Sequence, residues 1–245
     1  MQFFKRVILL TACTLLLSAC VTPALRNNKH IDYQEDILLK ADNHSGLISL
    51  YRRQLKNKED PQVRFKLAHY YYQAGDYRSS LYYLQPLAHQ PDIPVALLQA
   101  RNRIALGDYA QALQVTNAIR QRDPKNAEAW NLRGIALALS GQPAQGREAI
   151  ERARALFIDD EVALNNLAAI AMMEQRYQEV VGLLLPQYLQ GKKSPRLLHN
   201  LVLSLVKVGD YRDARRIIAS ENLSDRPDDL LNALAHLTPD SREMG

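Results

Sequence analysis

The feature that most constrains this chain is a punctuated repeat. Short signatures recur at Ala74-Gly75-Asp76-Tyr77, Leu106-Gly107-Asp108-Tyr109, Ser140-Gly141-Gln142-Pro143, Gln175-Arg176-Tyr177 and Val208-Gly209-Asp210-Tyr211. Their anchors, at 75, 107, 141, 175 and 209, are separated by 32, 34, 34 and 34 residues. A period of that length is one supersecondary unit, too small to bury its apolar face alone, so successive units must stack. Glycine at the anchor suits the left-handed position that ends one helix, and the aspartate after it can cap the next. Gln175 stands where glycine is expected, which predicts a distorted or slightly longer fourth turn.

A second pattern agrees with the first. Small residues fall seven positions before each anchor and five after it, giving the pairs Ala68/Ser80, Ala100/Ala112, Gly134/Gly146, Ala168/Val180 and Val202/Ala214. Every pair has at least one small member, as two antiparallel helices touching near their backbones require. Pro61, Pro91 with Pro94, Pro124 and Pro195 fall between repeats, where a helix must stop or start. The expected helix pairs are 61–74/77–89, 93–106/109–122, 127–140/143–156, 161–174/177–190 and 195–208/211–220. Gly 10 and Pro 11 are low for 245 residues, in keeping with an all-helical chain.

This period, with its two helical stretches and glycine turn, resembles the tetratricopeptide (TPR) repeat over residues 61–222. The resemblance implies an all-α fold, a TPR solenoid built as a right-handed superhelix of antiparallel helix pairs. Upstream, residues 33–60 read as a divergent N-terminal helix pair, with Gly46 at the wrong spacing for a regular anchor. Residues 223–245 read as a capping helix, opened by Pro227, and a frayed tail.

The first residues carry a different message. Lys5 and Arg6 precede a stretch from Val7 to Val21 that holds no charge and is 15 residues long, short of the ~20 that a membrane-spanning helix needs. It reads as an export signal over residues 1–19. Leu17-Ser18-Ala19-Cys20 resembles the bacterial lipobox. That resemblance implies a lipidated Cys20, a tether over residues 20–32 and, because Val21 rather than aspartate follows, sorting to the periplasmic face of the outer membrane. More than one acyl chain makes such an anchor stable. Removing residues 1–19 takes Lys5 and Arg6 and no acid, lowering the net charge from +5 to +3. So small a charge gives no reason to expect a nucleic-acid partner.

No catalytic, metal or cofactor site is expected. Cys13 leaves with the signal, and Cys20 would be blocked, which excludes thiol chemistry. The six histidines form no paired-ligand spacing. Gly141 and Gly146 in Gly141-x-x-x-x-Gly146-Arg147-Glu148 are already explained by the repeat, and no strand precedes them as a phosphate-binding loop demands. Asp159-Asp160-Glu161 opens a helix, where acids complement the dipole. No small-molecule substrate is implied.

What remains is binding. In TPR folds, positions 5, 9 and 12 of the first helix of each repeat face a concave groove. Here those positions imply Phe65, His69 and Tyr72; Leu97, Arg101 and Ile104; Asn131 with Ile135 and Ala138; Asn165 with Ala169 and Met172; and His199 with Leu203 and Val206. Such a mixed, mainly apolar set suits an extended or helical segment. Because solenoids draw stability from interfaces between neighbouring repeats, Tyr72, Arg101 and Asn131 are expected to be dispensable for folding.

The C-terminal half carries a finer resemblance. Asn165-Asn166-Leu167-Ala168, Leu183-Leu184-Leu185-Pro186, Ser194-Pro195-Arg196-Leu197-Leu198-His199-Asn200-Leu201 and Ala214-Arg215-Arg216-Ile217-Ile218 are similar to the TadD-like TPR lipoproteins of tight-adherence (Tad/Flp) pilus systems. This implies a non-enzymatic outer-membrane adaptor whose partner is a secretin or another component of the pilus secretion machinery. The alternative is a periplasmic scaffold for cell-wall hydrolases or outer-membrane protein assembly.

Overall fold

The computed structural model describes residues 23–88 and 92–237; Cys20 and the export segment lie outside them. The described residues form thirteen α-helices and one 3-10 turn, without strands. They divide into two compact units, residues 1–90 and 91–245, each built of consecutive antiparallel helices.

The first unit contains α1 (Pro23–Lys40), α2 (His44–Asn57), α3 (Pro61–Gln73) and α4 (Tyr77–Leu84), the last continued by a 3-10 turn over Gln85–Leu87. α1 begins at Pro23, so helix occupies most of the stretch expected as a tether. Proline is tolerated in a first helical turn because its missing N–H would have no partner there, and no glycine follows before Lys40. The turn between α1 and α2 is made by Asp42, with φ 49°, rather than by Gly46. Gly46 lies inside α2, where Asn43 caps its N–H at 2.8 Å. A Cβ on Gly46 would stand 2.5 Å from Leu38 Cδ2, so its hydrogen side chain permits the close approach of α1.

Leu47, Leu50, Tyr51, Leu67 and Tyr70 form the core of this unit. Glu35 ties α1 to it: Lys66 Nζ donates to the carboxylate at 2.9 Å and to Tyr51 Oη at 2.9 Å, and Tyr70 donates to the same carboxylate. Burial by itself raises the Glu35 pKa, but hydrogen bonds from Tyr51, Tyr70 and Lys66 outweigh it and hold the carboxyl below its ordinary range. The tyrosines that crowd this part of the sequence pack on one another. Tyr71 stacks on Tyr83 with centroids 5.3 Å apart, Tyr51 lies 5.4 Å from Tyr70, and Tyr72 lies 5.6 Å from Tyr77.

The second unit contains α5 (Ile93–Ala105), α6 (Tyr109–Arg122), α7 (Ala127–Leu139), α8 (Pro143–Ala155), α9 (Asp160–Met173), α10 (Tyr177–Leu189), α11 (Pro195–Lys207), α12 (Tyr211–Ser220) and α13 (Pro227–His236). The odd-numbered helices from α5 to α11 begin the repeats and the even-numbered ones return. All ten members of the small-residue pairs are buried, and at Gly134 and Gly146 the two backbones meet. A Cβ on Gly134 would stand 2.8 Å from Gly146 O, and one on Gly146 would stand 2.7 Å from Gly134 O. α13 closes the end of this unit, burying Leu231 and packing Leu230, Leu234 and Ala235 against the cluster that holds Leu184, Leu201 and Ile217. Capping follows the sequence only in part. Asp76 and Asp210 accept from backbone N–H groups at 3.0 and 3.1 Å, while Asp108 instead pairs with Arg103 at 3.0 Å.

The fourth turn is not distorted. Gln175 adopts φ 57°, in the same left-handed region as Gly107 at 78°. The closing bonds also match: Gln175 N to Met172 O is 2.9 Å and Arg176 N to Ala171 O is 2.8 Å, against 3.0 and 2.8 Å at Gly107 and Asp108. The geometry is dictated by the stacked helices, and a residue with a Cβ bears the steric cost. Gln175→Gly should therefore raise stability by about 1 kcal/mol, read as a higher melting temperature.

Candidate functional site: the repeat groove

α5, α7, α9 and α11 contact one another in series and form the wall on which the groove positions stand. Leu97, Arg101 and Ile104 are half-buried on α5, and His199 is exposed on α11. Arg101 is not a free cation: its guanidinium reaches Glu128, in the first turn of α7, at 3.1 Å. Phe65, His69 and Tyr72 are half-buried on α3 and belong to the N-terminal unit, where His69 meets Tyr70 edge-on at 6.0 Å.

Two groove positions have a different character from the one expected. Asn131 is 3% exposed and its Oδ1 accepts a 2.8 Å hydrogen bond from Nδ2 of Asn166, 35 residues on. Asn165 is 5% exposed and donates to Glu161 O at 2.8 Å. Asn131 is therefore engaged in joining α7 to α9, and Arg101 in joining α5 to α7. The expectation that these side chains are dispensable for folding is corrected on that ground. A polar residue at a groove position can be consumed by the neighbouring repeat, because each position faces a helix one period away as well as solvent.

The acidic run that opens α9 is a helix start. Asp159 caps Val162 N at 3.2 Å, Asp160 pairs with Arg154 at 2.8 Å, and Glu161 lies 3.7 Å from Lys192. Arg147, next to the glycine pattern, is engaged with Glu179 at 2.6 Å and Glu174 at 3.6 Å. Among the described residues no three His, Cys, Asp or Glu side chains gather as a metal site. None of the described helices is long and apolar enough to cross a membrane.

Residues 97–161 match the tetratricopeptide repeat family model. The chain is similar to the solved structure of a thermophilic TPR protein from Thermus thermophilus, with 20% identity, a TM-score of 0.63, and coverage of 73% of this chain and 98% of that one. It is also similar to a tetratricopeptide repeat protein from Parabacteroides merdae ATCC 43184, at 13% identity and TM-score 0.61, covering 84% and 83%. A third likeness is to MamA, from residue 41 to its end, of Desulfovibrio magneticus RS-1, at 18% identity and TM-score 0.53, covering 68% and 97%. No curated protein matches the chain. At these identities the likeness shows the fold, which is that of a TPR solenoid. Proteins of that fold are generally non-catalytic scaffolds for other proteins.

Proposed function

We propose that this protein is a non-enzymatic adaptor, held by a lipidated Cys20 at the periplasmic face of the outer membrane, that assembles or localises the secretin of a Flp-type pilus. The observation that carries the binding role is the series of contacting helices α5, α7, α9 and α11, which carries Leu97 and Ile104 on its first helix and His199 on its last. Half-buried apolar side chains on a rigid scaffold suit a partner segment laid across several repeats. The lipobox-like Leu17-Ser18-Ala19-Cys20 supports the anchor. The similarity of the stretches at 165–168, 183–186 and 194–201 to Tad lipoproteins supports the pilus partner.

Cys20→Ser tests the anchor. Fractionated envelopes should lose the variant to the soluble periplasm, while its helical content and melting temperature stay at wild-type values. Retention of the unacylated chain in membranes of a strain lacking the secretin would contradict the anchor. Co-purification of the secretin with the wild-type chain from detergent-solubilised envelopes tests the partner, and cell-wall hydrolases in its place would favour the alternative scaffold.

A further inference from the structure

A second surface lies away from the groove positions. Trp130 and Leu137 of α7 are each one residue before the groove-position residues Asn131 and Ala138 and so lie about 100° round the helix from them, and Arg133 lies farther round, about 140° to 160° away. With Arg120 of α6 and Glu148 and Arg152 of α8 they line a cleft of about 340 Å³. The Trp130 indole is fixed by donating to Pro124 O at 3.0 Å, and the Arg120 guanidinium lies over its ring at 3.7 Å. Asn117 Oδ1 accepts from Arg120 Nη1 at 3.1 Å and from Arg133 Nη1 at 2.9 Å, so one amide oxygen holds two cations side by side.

Among the described residues, nine of the fifteen arginines in residues 61–222 stand within 4.0 Å of a carboxylate; Arg120, Arg133 and Arg152 are three of the six that do not, and they are gathered at one cleft. Arg120 Nε is buried with no hydrogen-bond partner. Burial and the charge of Arg133 both push the Arg120 guanidinium below its ordinary value, as expected of like charges gathered without a counter-charge. Glu148 is the one carboxylate lining the cleft, which leaves an excess of two positive charges there.

We infer that this cleft between α6, α7 and α8 is a docking site for an acidic peptide segment of a partner protein. Its Asp or Glu carboxylate is received by Arg133 and Arg152, and an adjoining apolar side chain lies against Trp130. Planar guanidinium forks match carboxylates bidentately, and before the ligand arrives Arg133 is held by Asn117 while Arg120, stacked on Trp130, adds a fixed positive charge beside it. The half-buried Trp130 ring gives the cleft an apolar side that a bare inorganic anion does not use, with Leu137 and Ala149 buried beneath it. Glu148 at the same cleft disfavours a doubly charged phosphate more than a singly charged carboxylate. The site is independent of what occupies the groove and of the pilus assignment.

Trp130 is the only tryptophan of the chain, so its fluorescence reports this cleft directly. The full-length chain in detergent is titrated with an acetylated Leu-Glu-Glu-Leu-Glu-Glu-Leu amide and with the same peptide carrying glutamine for glutamate. The acidic peptide should give a saturable change and the glutamine peptide none. The Arg133→Gln, Arg152→Gln double variant should weaken the acidic peptide at least about tenfold without changing helical content or melting temperature. Arg133→Lys serves as a second variant that keeps the charge and loses the fork, and should weaken binding less. Equal responses to the two peptides, no saturable response to the acidic one, or unchanged affinity in the double variant would overturn the proposal. So would saturation by inorganic phosphate or single-stranded DNA with no response to the acidic peptide.

Discussion

Gly134→Leu should destabilise the second unit by at least about 3 kcal/mol, the upper end of what overpacking a core costs. The first added atom already meets Ile150 Cγ1 at 2.5 Å and Gly146 O at 2.8 Å, and the second of these is backbone that cannot rotate away. Gly146→Ala should also destabilise, although alanine is the better helix former by about 1 kcal/mol, because its Cβ would stand 2.7 Å from Gly134 O and 3.0 Å from Ala138 N. Gly182, inside α10, has nothing within 4 Å of such a Cβ. Gly182→Ala should therefore stabilise by up to about 1 kcal/mol. Chemical denaturation followed by Trp130 fluorescence, which reports α7 itself, compares the three variants in one experiment. Equal effects at Gly146 and Gly182 would mean that α7 and α8 do not cross where the structure puts them.

The second large effect concerns the Asn131–Asn166 bond. Asn131→Leu should cost about 1 to 3 kcal/mol, because it leaves Asn166 Nδ2 buried without its acceptor, and Asn166→Leu should cost a similar amount. The double variant should be less destabilised than the sum of the two, since replacing both partners removes the orphaned group. Strict additivity would show that the bond does not join α7 to α9.

The helix pairs are legible in the sequence because their signals are local. Glycine turns, prolines in first turns and small residues 12 apart each act within one repeat, and the observed helices end within a few residues of the expected ones. What escapes the sequence depends on residues about one period apart or on packing that overrides propensity. Asn131 and Asn166 are 35 residues apart, Arg101 and Glu128 are 27 apart, and Glu35 meets Tyr70 across 35. Periodicity gives the register of such residues but not which pairs of side chains meet. Gln175 departs from expectation for the opposite reason: its own preference disfavours the left-handed turn, and the stacked helices on both sides impose it. The arginine cleft leaves no sequence signature because Arg120, Arg133 and Arg152 are scattered in the chain and form no run.

The claim that the groove is the partner-binding surface has a direct test. A photo-crosslinking residue placed at Leu97, Ile104 or His199, and at exposed Gln114 on α6 as the control, is activated in intact cells carrying the full chain. Adducts with the secretin should form from the three groove positions and none from Gln114. Adducts confined to Gln114, or none from the groove, would contradict it.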